Sequence, residues 1–460
     1  MNEGRMRMSK IETDKAREIA AQPERYVQDY QRTVERVGKS GAIYHGQPVP
    51  FLYVPKIFTE QDISRFEDAM QALFNIIDHT IELYMNKAEV RALFGFDKRL
   101  EELILCTAKG HGYRANVPMG RFDIFYYPDG GYKFCELNTD GASAMNEEME
   151  LTAVLLGSQP LREVAQNKTV KHFELFDSWV DDVKQIYNEY RASNQEPPLE
   201  YGNRQTYADT TVAIVDFKDK GNLLEFDVFK KHFEQAGFRC VIADPRELAC
   251  KDGQLVHEGR KIDIVYRRLV TKDLLDRYDE IPAFIEGILS NRTCIIGPIK
   301  SQIVHTKQFF VVLCQPEFRK FLTQEEIAYI DAHVPMTKIL ADYEDLQAYI
   351  DAKDAYIIKP LDNYASTGVC AGKDYSLQDW AALLKDKARA HYIIQEYCPL
   401  ALSENILFDQ DGKAQLLKFH NLTGLYVYNR RFSGIYSRAG RNAIISGQHD
   451  GYTMSSVYVE

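Results

Sequence analysis

The chain reads as a mixed α/β (α+β) protein of several domains, and three observations carry that reading. Its first third is helix-periodic. A segment beginning near residue 211 alternates strand and helix, and a C-terminal third alternates both and ends strand-rich. At 460 residues the chain has room for about three domains of ordinary size, each with its own core.

From about Ile11 to Leu105 the pattern is helical, broken by the extended stretch YHGQPVPFLYVP at 44–55, whose prolines do not suit a helix interior. Residues 1–110 are taken as a helical N-terminal region and 111–204 as a second unit. The second unit holds a predicted β-hairpin, GRFDIFYYPDGGYKFCELN, followed by helix through 145–195. A polar, proline-paired stretch near residue 200 marks a linker. Residues 205–300 then run TVAIVDF, FDVFKKHFEQAG, FRCVIAD and KIDIVYRRL, with a short hairpin CKDGQLVHEGRK before the last. That alternation predicts a parallel, Rossmann-like α/β unit, although no GxGxxG fingerprint is present. Residues 301–460 form the last unit, and it contains no GxxxxGK[ST].

The formal net charge is −11, which argues against a large nucleic-acid footprint, since that needs a clustered basic face. The first forty residues carry no apolar signal core and no later run reaches a membrane span, so the expectation is a cytoplasmic protein with no membrane and no nucleic-acid partner. Eight cysteines occur with no CxxC spacing and mostly within apolar runs, where a thiol behaves as a small buried hydrophobe.

The hairpin carries the sharpest chemistry. With 128–131 as its loop, Tyr127 faces Tyr132, Asp123 faces Glu136 and Arg121 faces Asn138, and all four polar side chains share one face. Directly opposed strand residues hold their Cβ atoms about 4.5–5.5 Å apart, where two carboxylates repel unless a cation sits between them. Oxygen ligands from Asp123, Glu136 and Asn138 suit Mg²⁺, with Arg121 placed to meet a phosphoryl group. On that reading Asp123→Asn is neutral or slightly stabilising without metal.

The run RFDIFYYPDGGYKFCELNTDGASAMNEE resembles the glutathionylspermidine synthase family of circularly permuted ATP-grasp enzymes. The resemblance covers roughly 115–460. It implies a circularly permuted ATP-grasp fold in which 205–300 is the pre-ATP-grasp domain, with Asp123, Glu136 and Asn138 on Mg²⁺ and Arg121 on the transferring phosphate. It also implies an ATP site, for which Lys307 at a helix start and Lys359 at the end of AYIIKPL match the two lysines. Ser366, Thr367 and Gly368 match the phosphate loop, and Gln395, Glu396 and Tyr397 of HYIIQEYCP match the adenine hinge. Arg438, with Arg441 second, matches a returning arginine. The expected activity is ATP- and Mg²⁺-dependent ligation of a small-molecule carboxylate to an amine through an acyl phosphate. The first ~110 residues lie outside the resemblance. His111, His305 and His420 are left as possible proton carriers. A kinase with a hydroxyl acceptor and a non-catalytic nucleotide-binding protein remain alternatives. A carboxylate-pair hydrolase using Asp123 and Glu136 is a third alternative, although opposed strand residues stand close for an inverting pair and the lysines are left without a role; ATP dependence separates it.

Overall fold

The computed structural model describes residues 10–44, 46–341, 346–361, 368–409, 411–442, 444–445 and 451–460. It is a mixed α/β molecule with several sheets. The largest is antiparallel, in the order Gly451–Met454, Arg431–Gly440, Ala414–Tyr428, Met119–Tyr126, Tyr132–Asn138, with Leu402–Phe408 paired to the first half of the long strand Ala414–Tyr428.

Period-two alternation gives this sheet two unlike faces. Phe122, Ile124 and Tyr126 point down onto the helix Glu60–Asn86, where Phe74 meets Phe122 at 5.7 Å between ring centroids and Phe66 meets Tyr126 at 4.8 Å. Tyr126 also donates its hydroxyl to Asp62 at 2.7 Å. Asp62 sits in that helix's first turn, where Thr59 and Asp62 form a reciprocal cap. The helical N-terminal region is therefore the floor of the sheet. Its first helix, Lys10–Ala21, packs Ala16 and Ile19 on Ile406 of the outer strand, and Arg17 pairs with Glu404 at 2.7 Å. An otherwise open sheet edge is covered in this way.

The segment after residue 210 folds as expected, with Thr211–Val215, the helix Leu223–Gln235, Arg239–Ala243 and Ile264–Arg267 in one parallel sheet. Cys294–Ile296 joins as a fourth strand, too short a run to stand out in the sequence. The predicted small hairpin at 250–261 is present, with three strands, the first of them Ala249–Lys251. A further four-stranded antiparallel sheet is ordered Thr337–Leu340, Tyr392–Glu396, Tyr356–Pro360, Cys370–Ala371. One of its faces packs Ile358 and Ile394 against Trp380 and Leu384. The other carries Ile357, Lys359 and Gln395 toward the large sheet. Among the described residues no helix is long and apolar enough to cross a membrane.

The chain's last strand, Ser456–Val459, lies parallel to Lys56–Thr59 and antiparallel to Val170–His172. A buried polar network fixes it. Glu148 accepts the Ser456 N–H at 2.7 Å and the Thr152 hydroxyl at 3.0 Å, while Ser456 reaches Ser437 at 2.9 Å. Burial pushes the Glu148 carboxyl up to about 8 despite these donors. Because the folded chain holds this proton and the unfolded chain does not, its stabilising effect is full below the usual 4.5 and is lost as pH rises toward about 8. One such proton corresponds to a slope of about 1.4 kcal/mol per pH unit. Glu148→Gln keeps an oxygen acceptor and removes the titration. Urea unfolding from pH 5 to 8 is expected to show a shallower decline in this variant than in the native chain; equal slopes contradict the assignment.

Candidate active site between two sheets

The hairpin register holds where the chemistry is and slips where the turn is. Arg121 pairs with Asn138 and Asp123 with Glu136 as the sequence predicts, but Tyr126, not Tyr127, faces Tyr132. The loop is closed by Tyr127, whose N–H donates to Gly131 O at 2.9 Å. A β-bulge at Cys135 takes up the extra residue. Both Cys135 and Glu136 line the same cavity as a result.

Asp123 is fully buried, and both its oxygens are bonded to guanidinium groups: Oδ1 to Arg121 Nε at 3.0 Å and Oδ2 to Arg438 Nη2 at 2.5 Å. The long strand passes between the two arginine-bearing strands, and Gly424, the partner of Asp123 there, permits the contact. A Cβ at Gly424 would stand 2.7 Å from Asp123 Oδ1 and 2.9 Å from Arg121 Cδ. The isolated glycine in NLTGLYVY is the sequence signal for such a close approach. Tyr436, opposite Gly424, supports both cations, with ring-centroid distances of 5.4 Å to Arg121 and 5.8 Å to Arg438.

The positive charge that opposed carboxylates call for is met at Asp123 by two guanidinium groups. The protein itself supplies the positive charge, from a strand the sequence places 315 residues away. Burial would raise Glu136, but the charges of Lys307 and Arg438, then the Asn138 amide and Arg121, hold its carboxyl down at about 2. For Asp123 burial is the largest influence and moves its carboxyl above the usual range, with Arg121 and Arg438 opposing and Glu136 adding to the rise. As a donor set for a hard divalent cation, the ionised Glu136 and the Asn138 amide at 3.2 Å from it fit. Asp123, with both oxygens bonded to arginine, fits least.

A cavity lies between the large sheet and the four-stranded sheet. Glu136, Arg438, Lys307 and Lys359 stand at its polar end, and Phe125, Leu422, Leu400, Ile357 and Ile445 form apolar walls. Lys307 is the residue before the helix Gln308–Cys314, as predicted. Lys359 is buried and donates to Gln395 Oε1 at 2.8 Å, while Gln395 Nε2 donates to Thr337 at 2.8 Å. Gln395 therefore orients the lysine from the cavity wall. At the hinge, the Glu396 and Tyr397 N–H groups are bonded to Met336 and Ala355 carbonyls at 2.9 and 2.8 Å. Glu396, Tyr397 and Cys398 line the cavity wall, and the Glu396 carbonyl accepts from Cys398 Sγ at 3.9 Å. Gly368 has φ +77° and lies at the cavity's edge against Pro360 and Tyr392. Ser366 and Thr367 lie outside the described residues. Arg441 is exposed. His111 is far from this polar end, bonded to Ala115 O at 3.0 Å and driven by burial to about 3.

No family model matches the chain, and no curated protein matches it in sequence. Among solved structures it is similar to D-cycloserine synthetase DcsG, at 12% identity over 54% of this chain and 91% of that one, with a TM-score of 0.30. It is also similar to D-alanyl-alanine synthetase A from Vibrio cholerae O1 biovar eltor, at 9% identity over 54% and 89%, with a TM-score of 0.26.

Replacing Asp123 by Asn removes the charge that two partly buried arginines share. Breaking a buried ion pair by deleting one partner costs on the order of 3 kcal/mol. Asp123→Asn is therefore expected to melt below the native chain with no ligand or metal added; an unchanged or higher Tm contradicts the arginine clamp.

Proposed function

We propose that this chain is an ATP- and Mg²⁺-dependent carboxylate–amine ligase of the circularly permuted ATP-grasp kind. The observation that carries the reading is the convergence of Lys307, Lys359, Arg438 and the ionised Glu136 on a cavity that Phe125, Ile357, Leu400 and Leu422 also line. That polarity matches a nucleoside triphosphate, with an aromatic base at one end and a polyanion at the other. The hairpin resemblance, in which metal strands precede the nucleotide lysines along the chain, agrees with it.

On this reading the base lies between Phe125 and Leu422 on one side and Ile357 on the other, reading backbone groups of Glu396–Cys398. Lys359, held by Gln395, and Lys307 neutralise the phosphates. Glu136 and Asn138, with Asp123 behind them, would hold Mg²⁺, which supplies charge neutralisation on the β- and γ-phosphates when bound. The substrate carboxylate attacks the γ-phosphorus and ADP departs. The amine then attacks the acyl carbon and phosphate leaves. Arg121 and Arg438 stand where negative charge develops in both steps, and both are already oriented by Asp123, so little reorganisation is needed. No side-chain nucleophile is required. The product amide, like the family resemblance to glutathionylspermidine synthases, is part of the proposal; a kinase would use the same nucleotide end with a hydroxyl acceptor.

Calorimetric titration with adenylyl imidodiphosphate and Mg²⁺ is expected to show Lys307→Ala and Lys359→Ala each weakening binding by tenfold or more, one charge-assisted hydrogen bond being worth about 1.5–3 kcal/mol. Incubation with ATP, Mg²⁺, a panel of carboxylates and hydroxylamine separates the acceptor classes. A ligase forms a hydroxamate with at least one carboxylate, and ADP release with no hydroxamate favours the kinase. Unchanged affinity in both lysine variants contradicts the nucleotide site.

A further inference from the structure

Around Glu136 the cavity wall gathers more positive charge than negative. Lys307, Lys359 and Arg438 line it there, while the other carboxylate of the wall, Glu396, belongs to the hinge. Asp123 is fully buried and is not among the residues of that wall. Both its oxygens are taken, Oδ1 by Arg121 and Oδ2 by Arg438. A divalent cation coming from the cavity meets the Arg438 guanidinium where it would need the Oδ2 lone pairs.

The two arginines are held unequally. Arg121 donates to Asp123 Oδ1 at 3.0 Å and to Ser143 O at 2.9 Å, and it does not line the cavity. Arg438 has, among the described residues, Asp123 Oδ2 at 2.5 Å and the ring face of Tyr436 at 5.8 Å, and its side chain is 17% exposed on the cavity wall. Its charge is therefore presented to whatever enters. Glu136 is the anionic oxygen donor left over, with the Asn138 amide 3.2 Å away. Burial aside, Lys307 and Arg438 are the groups that act on it most. A carboxylate already faced by fixed cations gains little from a further one, and a hard cation gives up its waters reluctantly.

We propose that Arg438 bars a free divalent cation from Glu136 and Asn138, so that the metal loads only together with the polyphosphate, while Asp123 serves as the anchor of the arginines rather than as a metal ligand. This rests on the nucleotide reading above and adds the order in which the site fills. Phosphates seated on Lys307, Lys359 and Arg438 reverse the sign of the local charge. Glu136 and Asn138 then complete an oxygen shell begun by the phosphate oxygens. Arg438 keeps its bond to Asp123 throughout, so the clamp and the metal do not compete for the same carboxylate.

Mn²⁺ serves as the probe, since it takes the same oxygen donors as Mg²⁺ and its free-ion electron paramagnetic resonance signal disappears on binding. It is titrated against the protein without nucleotide. Uptake at surface acids, such as the exposed group Glu174, Asp177 and His232, is common to all variants and is read from Glu136→Gln. The native protein is expected to match that background. Arg438→Met, similar in length and uncharged, gains one site with an affinity raised about tenfold or more, because a fixed cation is removed and Asp123 Oδ2 is freed. Arg438→Gln, which can still donate to Asp123, is a second uncharged variant and opens the site likewise. Arg438→Lys keeps the charge and stays closed, and Arg438→Met/Glu136→Gln returns to background. A native protein that takes up Mn²⁺ above background overturns the proposal. So does uptake by the uncharged variants no greater than native, or a gain that survives Glu136→Gln. Calorimetric titration of the native protein with adenylyl imidodiphosphate and Mg²⁺ separates the two readings. Nucleotide binding with no difference in Mn²⁺ uptake among the variants overturns the role of Arg438 and leaves the nucleotide site, and no nucleotide binding overturns both.

Discussion

The site depends on a single buried carboxylate. Asp123 takes one guanidinium on each oxygen, from Arg121 two residues away on its own strand and from Arg438 across the sheet. Charges of this kind are expensive to bury and hold their place only when their partners are fixed. The fixing is done by sheet register: Arg438 pairs with Leu422 and Gly424 with Asp123, so both arginines and the acid occupy neighbouring rows of one face. A slip of one residue in any of the three strands would turn its charged group to the helix-covered side.

That side explains why the register does not slip. The hairpin strand alternates Arg121, Asp123 and Phe125 upward with Phe122, Ile124 and Tyr126 downward, and the downward set is locked into Phe66, Phe74 and Asp62 of the helix Glu60–Asn86. The N-terminal helices, to which the sequence attached no function, act on the site through this packing. The upper face is closed by a second sheet bearing Lys359, whose position is set in turn by Gln395 and Thr337. Two scaffolds, each with one apolar and one polar face, thus meet around the cavity with their polar groups converging.

How much of this could be read in the sequence follows from the range of each interaction. The Asp123–Glu136 opposition is local to a hairpin, and alternation with a turn signal was enough to predict it. The lysines were placed because each ends a recognisable run, YIIKP or the helix start at Gln308. The bulge at Cys135 has no local signal, because the turn at Gly130 and Gly131 can close with either register. Arg438 was placed near the phosphates by resemblance, but its contact with Asp123 spans most of the chain and no local pattern encodes it. Gly424 and Tyr436 lie beyond any local pattern for the same reason, although a lone strand glycine is a usable hint.

The central claim is that a nucleotide occupies the cavity between the two sheets, and photolabelling tests it most directly. Irradiation with 8-azido-ATP and Mg²⁺, followed by peptide mapping, is predicted to mark the walls around Phe125, Tyr397–Leu400 or Leu422, with excess ATP suppressing the label. Protectable labelling at the ends of the parallel sheet instead, around Asp216 or Arg268, would contradict the account, because that is where an open parallel α/β sheet would bind a nucleotide on its own.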